Sequence, residues 1–185
     1  MKYSLDALNN VIDYAIKNGI FTCANLEVGN RERTLYQLSK GYRQIIPTYE
    51  LVDQSTIFDM ASVTKIMTVA MIIMHLVEKG TITFNDRLGQ FYNDIPQTTQ
   101  GITIKHLLTH TSGLPGNYSI VGMDRDNIDE EILSVPLAYP KGTRVEYACL
   151  GFILLGKLIE RVTGKSLDSL AQTIVFSPLG MKNTG

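Results

Sequence analysis

Between residues 66 and 77 the chain is apolar except at Thr68 and His75. Few structures accommodate such a run. It is too short to span a bilayer, which takes about twenty residues, and Gly80 stands ready to stop it. The pattern predicts a helix over 61–80 that is buried nearly all round, because a helix apolar on every face has no side to give to water. A second mostly apolar helix is predicted over 148–163, stopped by Gly164.

Ahead of these, Leu5, Leu8, Val11, Ile12, Ala15 and Ile16 fall on one face of a helix over 5–16, with Ser4 as its cap and Asn18-Gly19 as its stop. A hairpin follows, with strands over 20–28 and 33–42 and the turn at Gly29-Asn30. Residues 43–60 read as irregular, with short extended pieces around Ile45-Ile46 and Ile57-Phe58. Residues 82–95 read as loop with a short helical turn. Thr103 caps a brief helix through Leu107-Leu108, ended by Ser112-Gly113-Leu114-Pro115. Residues 124–134 form an acidic helix whose charges read as a solvated face, and a last short helix covers 167–175.

Strands first and then a long, mainly helical stretch define an α+β class. The expected organisation is 1–60, the N-terminal helix and first sheet strands, and 61–185, the helical region, as parts of one incomplete domain. A two-stranded sheet is marginal alone. It must lie on helices or pair with strands from elsewhere, and an open sheet edge invites self-association.

Composition excludes several functions. Lys and Arg number 17 and Asp and Glu 18, scattered along the chain for a net charge of −1, so no basic tract awaits nucleic acid. A hydrophobic content of 44% argues for a folded chain. Asp6 and Asp13 interrupt the stretch where an export signal needs an unbroken apolar core, so no signal peptide is expected, which leaves the cellular address open. Cys23 and Cys149 are far apart and lack metal-ligand spacing; two reduced thiols and no metal are expected.

The candidate chemistry begins at Ser62 and Lys65. Taken alone, Ser-x-x-Lys arises by chance about once in a chain of this length, and a capping serine with a solvated lysine accounts for it. Its position changes the reading. On a helix, residues three apart share a face, and a lysine in the first turn of a buried helix is poorly solvated, which should lower its pKa. A partly neutral amine beside a hydroxyl is one way to activate a serine.

Four stretches, FDMASVTKIMT, IKHLLTHTSGLP, YPKGTRVEYACLGFILLGKLIERVTGKSL and FSPLGMKNTG, resemble in their order segments of the serine β-lactamase and penicillin-binding-protein superfamily, on its class C, carboxypeptidase and esterase side. The resemblance covers most of residues 57–185. It implies a β-lactamase/transpeptidase-like fold, here incomplete, with a mainly helical region plus the N-terminal helix and β-hairpin and without the C-terminal strands. It implies acyl transfer in which Ser62 is the nucleophile while Lys65 and Tyr147 move its proton. The implied substrate is a small molecule or peptidoglycan-like compound (a β-lactam, a D-alanyl peptide or an ester), with no metal or organic cofactor.

Cys149 departs from the pattern, standing at a substrate-binding position where the family has Asn. A thiol donates and accepts only weakly, which tilts the expectation from lactam toward ester or peptide. His110 is expected to satisfy backbone groups in a structural turn and is left out of the site, with His75 and His106 as packing residues. The family's third motif, Lys or His, then Thr or Ser, then Gly, has no match after Cys149. Weak or no turnover is therefore expected of these 185 residues. The alternative is a non-catalytic penicillin-binding or sensor protein that keeps a stable acyl adduct, or an inactive fragment.

Overall fold

The backbone of the computed structural model, which describes residues 5–185, divides into two compact units between Asp59 and Met60. In the first, α1 (Asp6–Lys17) has an acidic residue in its first turn and Lys17 in its last, each at the end its charge favours. Gly19, at φ +68°, ends it, and the Ile20 amide returns to the Ala15 carbonyl at 2.9 Å. The expected Ser4 cap lies outside the described residues.

β1 (Cys23–Gly29) and β2 (Thr34–Gln44) form the antiparallel hairpin, with Cys23 opposite Gly41 and Leu26 opposite Leu38. Asn30 makes the turn, its side-chain oxygen accepting from the amides of Glu32 and Arg33, both at 2.9 Å. Gly41 has to be glycine: at φ +92° an added Cβ would stand 2.2 Å from the Thr22 carbonyl. The Tyr36 hydroxyl donates to Asn9 Oδ1 on α1 at 2.6 Å, tying helix to sheet.

The sheet has a third strand that hydrophobicity does not reveal. Residues 45–46 and 57–58 are not strands; β3 (Glu50–Leu51) pairs antiparallel with β2 instead, in the order β1-β2-β3. Pro47 has no N–H to give a ladder. The pairing is polar, with Glu50 accepting from Arg43 Nε at 3.1 Å and from Gln44 Nε2 at 3.0 Å.

In the second unit a π-helical segment, Lys65–Ala70, runs directly into α2 (Met71–Glu78). A 3₁₀ turn at Leu88–Gln90 and the short helices α3 (Gln97–Gln100), α4 (Ile104–Leu108) and α5 (Ile128–Leu133) follow. α6 (Cys149–Thr163) ends at Gly164 with φ +65°, and α7 (Leu167–Leu170) passes into a second π-helical segment, Ala171–Phe176. One core joins these elements: Ile72, Ile73, Leu107, Leu114, Leu154 and Leu155 have no exposed surface. Each such side chain contributes roughly 1.5–3 kcal/mol of transfer free energy. α4 lies close on α6, where a Cβ on Gly151 would touch Leu107 at 3.5 Å.

Two expectations need correction here. The helix after Ser62 is not buried all round. Val69, Ile72, Ile73 and Leu76 face the core, whereas Ile66 is 67% exposed and Met71 and Met74 are also exposed. Within this unit α6 and the 171–176 segment pack against one side of it, so apolar composition overstated its burial. The acidic stretch departs in its start and at one residue: the helix covers only 128–133, while Asp124, Asp126, Glu130 and Glu131 are exposed as expected. Residues 124–127 stay out of it because Asp124 accepts from the Asp126 amide at 3.1 Å and from Asn127 Nδ2 at 2.8 Å, a local turn that competes with helix. Asp129 is only 5% exposed and receives Arg161 Nη2 of α6 at 3.3 Å.

Candidate active site

Ser62 sits on a tight turn that leads into the π-helical segment. Val63, Thr64 and Lys65 each donate their amide to the carbonyl three residues back, at 2.9, 3.2 and 3.2 Å. In such a 3₁₀ turn residues i and i+3 eclipse, so Ser62 and Lys65 stack more directly than on an α-helix. Lys65 Nζ donates to Ser62 Oγ at 3.1 Å. Ala61, just ahead of the serine, is at φ +43°, a left-handed conformation that costs a residue with a Cβ free energy and that clusters at functional sites.

Tyr147 arrives from far along the chain. Its hydroxyl donates to Ser62 Oγ at 2.7 Å, and Lys65 Nζ lies 5.4 Å from its ring centroid. The segment carrying it is laced to the turn that follows α4: Ala138 N to Gly113 O at 2.8 Å, Gly142 N to Thr111 O at 2.7 Å, and Gly116 N to Glu146 Oε1 at 3.0 Å. Gly113 makes that turn possible, since at φ +88° a Cβ would stand 2.3 Å from the Tyr139 carbonyl. Thus Ser62, Lys65 and Tyr147, each singled out from sequence, come together on one oxygen.

The lysine's charge state departs from the expectation. Burial draws the Lys65 pKa down, but the hydrogen bond and charge of Tyr147 and the influence of Cys149 outweigh it, so its pKa lies above the ordinary lysine value. Lys65 is therefore a stable ammonium at neutral pH. The sequence names Tyr147 and Cys149 as site residues, but their effect on the Lys65 charge depends on distances that only the fold sets.

Cys149, a free thiol, opens α6 on the exposed side and acts directly on Lys65. Beside both lies a mostly apolar cavity of about 440 Å³, lined by Lys65, Val69, Cys149, Phe152, Ile153 and Gly156 among others. A second cavity of about 470 Å³, at Tyr92, Asp94, Glu130 and Arg161, shares no lining residue with it. Among the described residues no three His, Cys, Asp or Glu side chains converge as a metal would require. No helix among them is long and apolar enough to cross a membrane.

The histidines divide. His106 closes a reciprocal cap on α4, its amide donating to Thr103 Oγ1 and its Nδ1 accepting from the Thr103 amide, both at 3.2 Å. This is a more specific role than packing. His110 lies against Tyr147, with ring centroids 4.6 Å apart, and its Nδ1 accepts from the Ala148 amide at 3.2 Å. The expectation that it satisfies backbone groups from the LLTHTSGLP turn holds at the Ala148 amide, while its ring contact with Tyr147 brings it to the edge of the site.

A family model for Beta-lactamase matches residues 8–185, and the chain belongs to the β-lactamase family. Its structure carries part of that family's α+β β-lactamase/transpeptidase fold. A penicillin-binding protein of Bacillus subtilis is 33% identical over 81% of this chain and 35% of its own length. Esterase EstB of Burkholderia gladioli is 30% identical over 99% of this chain and 53% of its own. Among solved structures, an octameric penicillin-binding protein homologue from Pyrococcus abyssi aligns with a TM-score of 0.82 at 27% identity, covering 97% of this chain and 44% of that one. The chain thus spans about half, or less, of the length of these relatives.

Proposed function

We propose that this chain carries the nucleophile and proton-transfer groups of a serine hydrolase working through an acyl-enzyme. The observation behind this is the convergence of Tyr147 Oη at 2.7 Å and Lys65 Nζ at 3.1 Å on Ser62 Oγ. An ammonium held above the usual lysine range is no resting base, so the proton work falls to the tyrosine. Tyr147 accepts as the phenolate, after its own hydroxyl proton has passed to solvent, with the Lys65 ammonium beside its ring. Ser62 Oγ forms a bond to the substrate carbonyl carbon as its proton passes to Tyr147 Oη. The tetrahedral adduct then expels the leaving group, which takes that proton. Water, deprotonated by the same phenolate, attacks the acyl carbon, the ester bond to Ser62 Oγ breaks, and the proton passes from Tyr147 Oη back to Ser62 Oγ.

Relatives named as a penicillin-binding protein, an esterase and a D-alanyl-D-alanine carboxypeptidase bring β-lactams, esters and D-alanyl peptides forward as substrates. The apolar cavity beside Lys65 suits an acyl group with hydrocarbon character. A thiol at Cys149, in place of an amide that both donates and accepts, favours an ester or peptide over a lactam.

The test is an intact-mass time course of the 185-residue chain with a fluorophosphonate and with penicillin. An adduct that forms on Ser62, is absent in Ser62→Ala and decays supports the hydrolase. An adduct that persists assigns the chain to stable acyl-adduct formers, and no adduct on the folded chain overturns the reading.

A further inference from the structure

Tyr147 is 51% exposed, so burial alone does little to fix its hydroxyl. His110 grips it from three directions. The His110 carbonyl accepts from the Glu146 amide at 2.9 Å, its Nδ1 accepts from the Ala148 amide at 3.2 Å, and its ring lies against the tyrosine ring at 4.6 Å. Both chain neighbours of Tyr147, and the tyrosine itself, are therefore attached to one residue. Phe152 of α6 packs on the same imidazole at 5.2 Å. His110 holds this arrangement at φ +55°, a left-handed conformation that histidine tolerates better than most residues.

We propose that neutral His110, with its proton on Nε2, is the positioning residue of Tyr147, and that protonating it releases the phenol from Ser62. The proposal rests on the serine-hydrolase reading above for its consequence in catalysis. An imidazolium has donors only. Once His110 is charged, the Ala148 amide, in a residue only 2% exposed, loses its acceptor, and leaving such a donor unsatisfied is costly. The charged and titratable groups around His110 come from three elements. Lys65 lies on the π-helical segment, Tyr147 and Glu146 on the extended segment, the latter paired with Arg144 at 3.3 Å, and Cys149 opens α6 beside Lys65. Burial, then the Lys65 charge, holds the His110 pKa below the usual histidine range, and the Ala148 amide works in the same direction because only the neutral ring can accept from it. His110 is thus neutral at neutral pH, and release occurs on the acid side.

Two variants separate the parts of this claim. His110→Asn places an acceptor where Nδ1 stood, tolerates the left-handed backbone and does not titrate. His110→Phe keeps a ring and has no acceptor. The rate of Ser62 acylation by a fluorophosphonate, followed across the histidine range, is expected to fall about 10–100-fold in His110→Phe at neutral pH. His110→Asn should recover most of that loss and lack the acid-side decline of the parent chain. A His110→Phe rate equal to the parent's, or an acid decline that survives in His110→Asn, overturns the proposal.

A second measurement does not depend on acylation. In the isotope-labelled chain, the Tyr147 ring and Ala148 amide resonances should titrate together with His110, and the Ala148 amide should exchange faster in His110→Phe. If the parent chain forms no adduct, the hydrolase reading has failed. The titration still decides the positioning role, and Tyr147 and Ala148 signals indifferent to His110 refute it.

Discussion

The hydroxyl of Tyr147 donates a 2.7 Å hydrogen bond to Oγ of Ser62 across 85 positions of sequence. Closing so long a loop costs entropy that grows only with the logarithm of its length. Local lacing supplies the accuracy. The turn at His110–Gly116 is fastened to the irregular run at 138–148 by backbone bonds at Gly113, Thr111 and His110, and α6 then buries that run's end against α4. The tyrosine is delivered by a scaffold made before it and packed after it.

Removing only the phenolic oxygen isolates its contribution. Tyr147→Phe keeps the ring against His110 and should leave the thermal midpoint near that of the parent, since the side chain is half-exposed. Acylation of Ser62 should fall by about 10²–10⁴-fold, the range expected when a positioned proton acceptor is lost. Mass spectrometry under single-turnover conditions measures this, and a loss below threefold would show that the 2.7 Å contact is not the proton path.

Lys65 sets a pH signature. Its folded pKa lies above the model-compound value of 10.5 because Tyr147 and Cys149 outweigh its partial burial. The stability it contributes is therefore fully present below pH 10.5 and disappears as pH rises through the folded value. In a chain labelled at lysine Cε, the Lys65 resonance should titrate above the ordinary lysine value, and the stability advantage over Lys65→Met should shrink only at strongly alkaline pH. Titration of Lys65 below 10.5 would restore the neutral-amine base that desolvation alone suggested.

Element existence was legible in the sequence wherever a period or a stop residue governed it. α1, the hairpin, α6 and its Gly164 stop follow from apolar spacing and from glycines that take positive φ. β3 was not legible, because Glu50 is matched to Arg43 and Gln44 by polarity, which hydropathy does not register. Ser62, Lys65 and Tyr147 could be named from spacing and resemblance, and their distances could not. The charge of Lys65 was misjudged for the same reason: its partners lie in another part of the chain. Asp129 was read as solvated because its ion partner, Arg161, belongs to a different helix.

That pair makes an asymmetric prediction. The Asp129 side chain is 8% exposed and that of Arg161 46%, and the guanidinium also stands 4.3 Å over the Tyr92 ring. Burial, followed by the neighbouring Asp129, raises the Tyr92 pKa, so its hydroxyl stays neutral beside them. Arg161→Leu strands a buried carboxylate and should cost about 2–3 kcal/mol, below the range for a fully buried pair because water reaches the arginine. Asp129→Asn leaves the arginine free to hydrate and should cost about 1 kcal/mol or less. Urea denaturation of both variants checks the order, and equal losses would mean that the pair is not what holds α5 to α6.

Cys149 tests what the substrate's amide would meet. The residue is exposed and opens α6, so an asparagine there has room and should leave the thermal midpoint unchanged. Its carboxamide both donates and accepts, whereas the thiol does each weakly. One added neutral hydrogen bond contributes about 0.5–1.5 kcal/mol, at most roughly tenfold in rate. Acylation of Ser62 by penicillin should therefore rise up to about tenfold in Cys149→Asn relative to acylation by a simple ester. The same change removes a group that raises the Lys65 pKa, so the lysine should titrate at lower pH than in the parent chain. Competition between the two acylating agents, read as the ratio of adduct masses, decides the matter. A ratio that is unmoved or shifts toward the ester would remove Cys149 from substrate selection.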